Sequence, residues 1–287
     1  MRPSNPLFFC AIAMLFVAAR GVNASDDLIV ITQDYNIVEH AKEGFNAKDI
    51  RQVLYVTADM VAIDEYGDNG KNPTETFLIN LKDQRIVDFD HANKQILVNE
   101  TFAARRQQIL LRKKQVQSDV DALAPGAVKN RILKMFGPML DGSRQFKLAD
   151  DAAAKEVAGV KCKAIKIVDE KDPAYPPFEA VLHPDMEMPY ENSEVLFLLK
   201  IVGENMAQFL KDNKTVFGHV PMEMHLQTAE GGKLDTKVVS VTKMKLAEFD
   251  AKTRPLGDPF EFPKGYALIR KLPPKAVEPL TNKNKPD

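Results

Sequence analysis

Between Ser193 and Lys211 the chain carries Val195, Leu196, Phe197, Leu198, Leu199, Ile201, Val202, Met206, Phe209 and Leu210. A helix apolar on nearly every side has to be buried on nearly every side. A flat sheet covers one side and leaves the other in water, so this stretch demands a sheet that wraps around helical material. The fold class that meets the demand is α+β, a curved antiparallel sheet (half-barrel) with helices packed in its concave face.

The rest of the pattern supplies the strands. Asp27 to Tyr35, Gln52 to Thr57 and Asp59 to Tyr66 alternate in polarity, and the run Gly67 to Pro73 is turn chemistry. Phe77, Ile79 and Leu81 share one face, Asp83-Gln84 makes a tight connection, Val87 and Phe89 follow, and Asp90 to Lys94 turns into Gln95 to Asn99. Such spacing predicts an antiparallel meander. The period then changes. Phe102, Ile109, Val116 and Leu123 recur every seventh residue with Leu110 and Val120 beside them, a helical stripe that Pro125-Gly126 interrupts and 127–136 resumes. Further strands are expected at Gln145 to Leu148, Val160 to Val168 and Phe178 to His183. Val220 to Thr228 and Thr236 to Leu246 form a hairpin across Glu230 to Lys233.

Residues 1–24 stand apart. Arg2 opens a short positive region, Leu7 to Ala19 is apolar throughout, and Val22 and Ala24 suit the −3 and −1 positions of a cleavage site. This is the pattern of a secretory signal peptide, and its ~13 apolar residues fall short of the ~20 that cross a bilayer. The expectation is an exported protein, periplasmic in a Gram-negative bacterium and extracellular otherwise. Removing Arg2 and Arg20 from a total of 39 basic and 40 acidic side chains leaves a mature chain at −3. That balance excludes an obligate nucleic-acid binder, and a 45% hydrophobic content excludes a disordered chain. Cys162 is the one cysteine outside the leader, so no intrachain disulfide is expected. Residues 25–270 read as a single half-barrel domain with a helical insertion at about 102–136. Residues 271–287, rich in Pro, Lys and Asn, read as a disordered tail.

At this point the chain resembles a known group. The meander Val61-Ala62-Ile63, Phe77 to Leu81 and Arg85 to Phe89 is similar to that of the lipoprotein-carrier-like (LolA/LolB-like) superfamily, and most of all to its uncharacterised exported bacterial members. The likeness extends to Ala158-Gly159-Val160-Lys161-Cys162-Lys163, to Gly218-His219-Val220-Pro221-Met222-Glu223-Met224 and to the closing Phe260-Glu261-Phe262-Pro263-Lys264-Gly265-Tyr266. It spans most of residues 27–270, and its short motifs mark turns and core positions. What the resemblance implies is a hydrophobic cavity between sheet and helices that accepts an acyl chain. The residues permit this independently, since a curved sheet plugged by a movable apolar helix is one shape change from an open pocket. The alternative is a helix that never leaves its sheet.

Other chemistries find little support. The motifs at His183 to Pro189 and His219 to His225 hold thioethers and imidazoles, ligands for soft Cu(I). On a strand, however, Met222 and Met224 point to one face and His219, Glu223 and His225 to the other, so no metal and no cofactor is expected. There is no Gly-x-Ser-x-Gly elbow, His-Glu-x-x-His, P-loop or dinucleotide fingerprint. Cys162 reads as a small buried residue of an alternating strand, and His40 and His91 stand in polar, loop-like surroundings without an assignable partner. From Phe102 to Lys134, eight cations face Asp119 and Asp121. Arg105, Arg106, Arg112, Lys113 and Lys114 form the core of this basic surface, suited to an anionic membrane or an acidic protein, or to plain solvation.

The sequence therefore predicts an exported, non-catalytic binding protein for a lipid or acylated ligand in the cell envelope. Its pocket would be lined by Leu198, Val202, Met206, Phe209, Met222 and Met224. The alternative is a protein-interaction or sensor module that uses the same fold without lipid uptake.

Overall fold

The computed structural model describes residues 26–38, 48–67, 70–130, 144–149, 153–173, 176–188, 193–199, 202–227 and 233–269. The expected leader, the expected tail, most of the helix expected over 127–136, and His40 lie outside them. Six strands follow one another as a meander: β1 (Asp27–Val38), β2 (Lys48–Val56), β3 (Met60–Tyr66), β4 (Pro73–Asn80), β5 (Arg85–Asp90) and β6 (Gln95–Thr101). Each pairs antiparallel with the next. Helix α1 (Phe102–Asp121) leads to β7 (Phe146–Ala149), β8 (Ala154–Val157), β9 (Val160–Asp169) and β10 (Phe178–Glu187). Three short helices follow, α2 (Ser193–Leu198), α3 (Glu204–Asp212) and α4 (Lys214–Phe217), and then β11 (His219–Gln227), β12 (Lys233–Lys245) and β13 (Ala267–Leu268).

β12 returns to pair antiparallel with β1. That pairing joins the early and late strands into one sheet of thirteen strands among the described residues, in the order β13-β6-β5-β4-β3-β2-β1-β12-β11-β10-β9-β7, with β8 also on β9. The path is open, and β13 lies parallel to β6. The architecture is thus α+β, dominated by a large open antiparallel sheet. No helix among the described residues is long and apolar enough to cross a membrane.

A strand period of two sorts the side chains onto two faces. Register places Ile31, Leu54, Ile63 and Phe77 opposite one another, and likewise Ile29, Val56, Val61, Ile79 and Ile86. These rows belong to the larger core, which also takes in Leu196, Leu198, Leu210 and Phe217 from the helices. On the other face Leu28, Tyr55, Ala62, Leu78, Val87 and Phe89 form a second core. Phe249, Phe260 and Tyr266 pack on it from residues 246–269, a strap that crosses this face and ends as β13. The two sides are called the helical face and the strap face below.

The strands follow the sequence pattern, with β1 and β10 running further than expected, β2 and β12 starting three or four residues earlier, and β8 and β13 too short to be read. The stretch Ser193–Lys211 differs. It is not one helix, because α2 ends at Leu198 and Gly203 stands extended (φ −74°, ψ 171°) as the N-cap of α3. Glycine inside a helix costs about 1 kcal/mol relative to alanine and is accepted at an N-cap, so the break falls there. α2 keeps the all-round apolar character, with Val195 to Leu198 buried and Leu199 just after it, whereas α3 buries Ala207 and Leu210 and exposes Gln208 and Lys211. On α1, capped by Thr101 Oγ accepting from the Ala104 amide, the buried stripe is Arg105, Ile109, Val116 and Val120. Ala158 and Gly159, both at positive φ (51° and 78°), close the β8–β9 hairpin. The glycine of the Ala158–Lys163 motif therefore serves a two-residue mirror-image turn.

Candidate binding face

The six residues expected to line a pocket come together on the helical face. Leu198, Met222 and Met224 are fully buried in its core, and Val202, Met206 and Phe209 are partly buried against it. Phe209 lies 6.2 Å from Phe146 and 5.9 Å from Phe217 between ring centroids.

The cations of α1 are placed differently from the expected outward surface. Arg105 is buried, its Nε donating to the Leu198 carbonyl (3.1 Å) and its Nη1 to Glu100 (2.8 Å). Arg106 Nη1 donates to both carboxylate oxygens of Glu194 (2.9 Å each), Nη2 donates to Glu204 (3.4 Å), and the guanidinium stands 4.9 Å from the Phe197 ring centroid. Lys113 Nζ is 3.7 Å from Glu204. Three of the five cations thus hold α2 and α3 to α1, while Arg112 is half-buried and Lys114 exposed. Glu194 and Glu204 lie some 90 residues from their partners, which is why sequence reading saw only a basic helix. The exposed pairs contribute on the order of 0.2–1 kcal/mol each.

A polar row crosses the same face, and sequence reading missed it. Gln33, Gln52, Glu65, Glu75 and Asp90 stand directly opposite one another on β1 to β5. Gln33 and Gln52 are fully buried and Glu65 nearly so, while Glu75 and Asp90 are half-buried, so the row runs from the interior toward solvent. Gln52 Nε2 donates to Glu65 Oε1 (2.8 Å), Gln33 Nε2 donates to Gln52 Oε1 (2.7 Å), and the Tyr35 hydroxyl donates to Glu65 Oε1 (3.2 Å). An ionised carboxylate only accepts, which orients the Gln52 amide and through it the Gln33 amide. Gln33 Oε1 is left buried without a partner. Burial raises the Glu65 carboxyl above its ordinary range. Burial and the neighbouring Asp88, Glu65 and Asp90 push Glu75 up to about 8.

The strap face is closed by a second buried network. Arg254 grips Asp64 through two hydrogen bonds, Nε to Oδ2 (2.6 Å) and Nη2 to Oδ1 (2.7 Å), and Nη2 also donates to Thr76 Oγ1 (3.0 Å). The Thr76 hydroxyl donates to Asp64 Oδ1 (2.5 Å) and lies 2.6 Å from His91 Nε2, whose Nδ1 is 2.7 Å from the Tyr266 hydroxyl. Thr76 has one proton, and Asp64 takes it, so His91 carries its proton on Nε2 and accepts from Tyr266 at Nδ1. His91 is therefore part of the strap's attachment and not a lone loop residue. Phe89 adds edge contacts with Phe262 (5.4 Å) and Tyr266 (6.1 Å).

Burial, reinforced by Arg254, holds His91 below its ordinary value against the opposing pull of Asp64 and Asp90. An unfolded histidine takes its proton near pH 6.5, before the folded one does, so the neutral His91 supports the fold above that pH and the support is lost as pH falls through it. Tryptic cleavage of the strap should accelerate between pH 7.5 and 5.5, after correction for trypsin's own pH dependence, and the acceleration should be absent in His91→Gln. Equal acceleration in both chains would remove His91 from the attachment.

Elsewhere the strap-side surface of β10 to β12 carries two shallow cavities, of about 430 and 230 Å³, that share His225 and Asp235. Buried Glu223 is paired with Lys155 and faces Lys237 at 3.6 Å, and His225 Nδ1 is 2.8 Å from Asp235. The charges there are paired with one another, and no nucleophile is set against a base. Cys162 is buried, its Sγ–H donating to the Val160 carbonyl (3.3 Å), and burial pushes its thiol up. No group of three or more metal-ligating side chains is found among the described residues.

No family model matches the sequence, and no curated protein matches it. Among solved structures the chain is similar, at 8% identity and a TM-score of 0.29, to a LolA superfamily protein from Nitrosomonas europaea, over 79% of this chain and 89% of that one. The chemistry of the site is accordingly read from this chain's own residues.

Proposed function

We propose that the chain is an exported, non-catalytic binding protein of the cell envelope that takes up a lipid or acylated ligand between the helical face of a half-barrel sheet and α2–α3. The observation that carries this reading is α2 itself. It is six residues long, it is followed by the extended Gly203, and it places four buried apolar side chains, Val195 to Leu198, in the core of the helical face. A helix that short has little stability of its own, so its apolar packing and the arginines of α1 hold it in place. Lifting it exposes an apolar floor that includes the flexible Met222 and Met224. The pairs that hold α2 and α3 to α1 include the half-exposed Arg106–Glu194 bridge, which salt weakens. Arg112 and Lys114 remain on α1 as the cations suited to an anionic membrane surface.

The test is uptake by the delipidated chain of a neutral fluorescent long-chain probe. Binding with a stoichiometry near one, displaced by unlabelled acyl ligands, is the expected result. No uptake at saturating probe would overturn the reading and leave an interaction or sensor module in its place.

A further inference from the structure

The amide chain of the helical face ends on an acceptor. Gln33 has no exposed surface, and among the described residues its Oε1 meets no donor. The groups beside it fix which atom that is. Glu65 Oε1 accepts from both Gln52 Nε2 and the Tyr35 hydroxyl, and it does so whether or not the other carboxyl oxygen carries a proton. Gln52 therefore turns Oε1 toward Gln33, which meets it with Nε2 (2.7 Å), and the atom left over is an oxygen. Buried acceptors without a donor are rare in folded chains. Register shows where this one lies. β1 stands in the middle of the sheet path, with six strands to one side and five to the other. Gln33 is opposite Val238, and two residues along β1 Tyr35 is opposite Thr236, itself opposite Met224. Residues two apart on a strand share a face, and Tyr35, Val238, Met222 and Met224 all belong to the core of the helical face. The oxygen thus stands beside the apolar floor that α2 covers.

We propose that the ligand taken up on the helical face carries a neutral hydrogen-bond donor, a hydroxyl or an amide N–H, that meets Gln33 Oε1 while its chain lies on Met222 and Met224. This rests on the ligand reading above. The donor is neutral because Gln33 is wholly buried, and a charge placed there would give up its hydration for one bond to an uncharged oxygen. An ether, an ester or a tertiary amide brings acceptors only and leaves the oxygen as it was. The apolar floor holds the chain, and the one oxygen reads the head.

Two matched pairs test the donor, each member competing with the neutral probe for the whole chain: dodecanol against methyl dodecyl ether, and N-methyldodecanamide against N,N-dimethyldodecanamide. Differences in water solubility within a pair cancel when its affinity ratio is compared between the unaltered chain and the double variant Gln33→Met, Gln52→Met, which removes both amides together and so strands neither. The ratio is expected to favour the donor member by about tenfold more in the unaltered chain than in the variant. A gain in one pair alone assigns the donor to that group. In the unaltered chain the side-chain carbonyl carbon of Gln33 should also move downfield with the donor ligand and not with its partner, a reading that needs no folded variant. Equal ratios in the two chains, or a carbonyl that answers alike to both members of each pair, would overturn the donor and leave Gln33 to a buried water, while chain uptake stands. If none of the four ligands binds, chain uptake fails and the donor falls with it.

Discussion

Replacing Asp64 with alanine is expected to destabilise the protein by about 3–5 kcal/mol, the cost of leaving a buried charge without its partner. Both side chains of the pair are almost wholly buried, so water offers Arg254 little compensation. Thr76 loses its acceptor in the same step, and its proton is free to turn toward His91, which moves the imidazole proton to Nδ1 and reverses the bond with Tyr266, while Arg254 is left without its carboxylate. The strap should therefore loosen along its length, with new tryptic cleavage after Lys252 and Lys264. The double variant Asp64→Ala, Arg254→Met should recover a substantial part of the loss, because it removes the stranded charge as well. Urea unfolding of the three chains measures these differences. A cost below ~1 kcal/mol for Asp64→Ala would mean that the strap is not held by this pair.

The strap shows where sequence reading stops. The meander could be read because a half-buried strand writes its faces into the sequence at period two, and Val61, Ile63, Phe77 and Ile79 do so plainly. The strap has no period. Phe249, Phe260 and Tyr266 are separated by loops, and Arg254 resembles any surface cation until the fold brings it to Asp64, 190 residues earlier. The closing motif Phe260 to Tyr266 was noticed as a likeness. Its physical content, that Tyr266 anchors to His91 and that Phe262 leans on Phe89, required the register of β4, β5 and β13.

The polar row failed for a different reason. Gln33, Gln52 and Glu65 read as the polar half of alternating strands. Yet each sits at the parity of Ile31, Leu54 and Ile63, two residues away on its own strand, and that parity points inward. The signal was present, and polarity masked it. On the helices the stripe of α1 is legible at Ile109, Val116 and Val120, whereas the turn of Arg105 toward the Leu198 carbonyl and of Arg106 toward Glu194 and Glu204 depends on distant elements.

Leu198→Ala separates a helix that lifts from one that never leaves its sheet. Leu198 is fully buried beneath α2, and truncating such a side chain costs about 2–5 kcal/mol. In a filled core that stays filled, the only consequence is lower stability. If uptake requires α2 to lift, the closed state competes with the ligand, and the observed Kd is the intrinsic Kd divided by the open fraction. Weakening the closed state by ~3 kcal/mol then raises the open fraction, and with it the affinity for the neutral probe, by up to about a hundredfold. Stability falls while affinity rises, a combination that general damage does not produce. Leu78→Ala is the control, a leucine buried on the strap face, which should lose similar stability with no gain in affinity. Equal affinities in Leu198→Ala and the unaltered chain would establish α2 as fixed core and move the search for a ligand off the helical face.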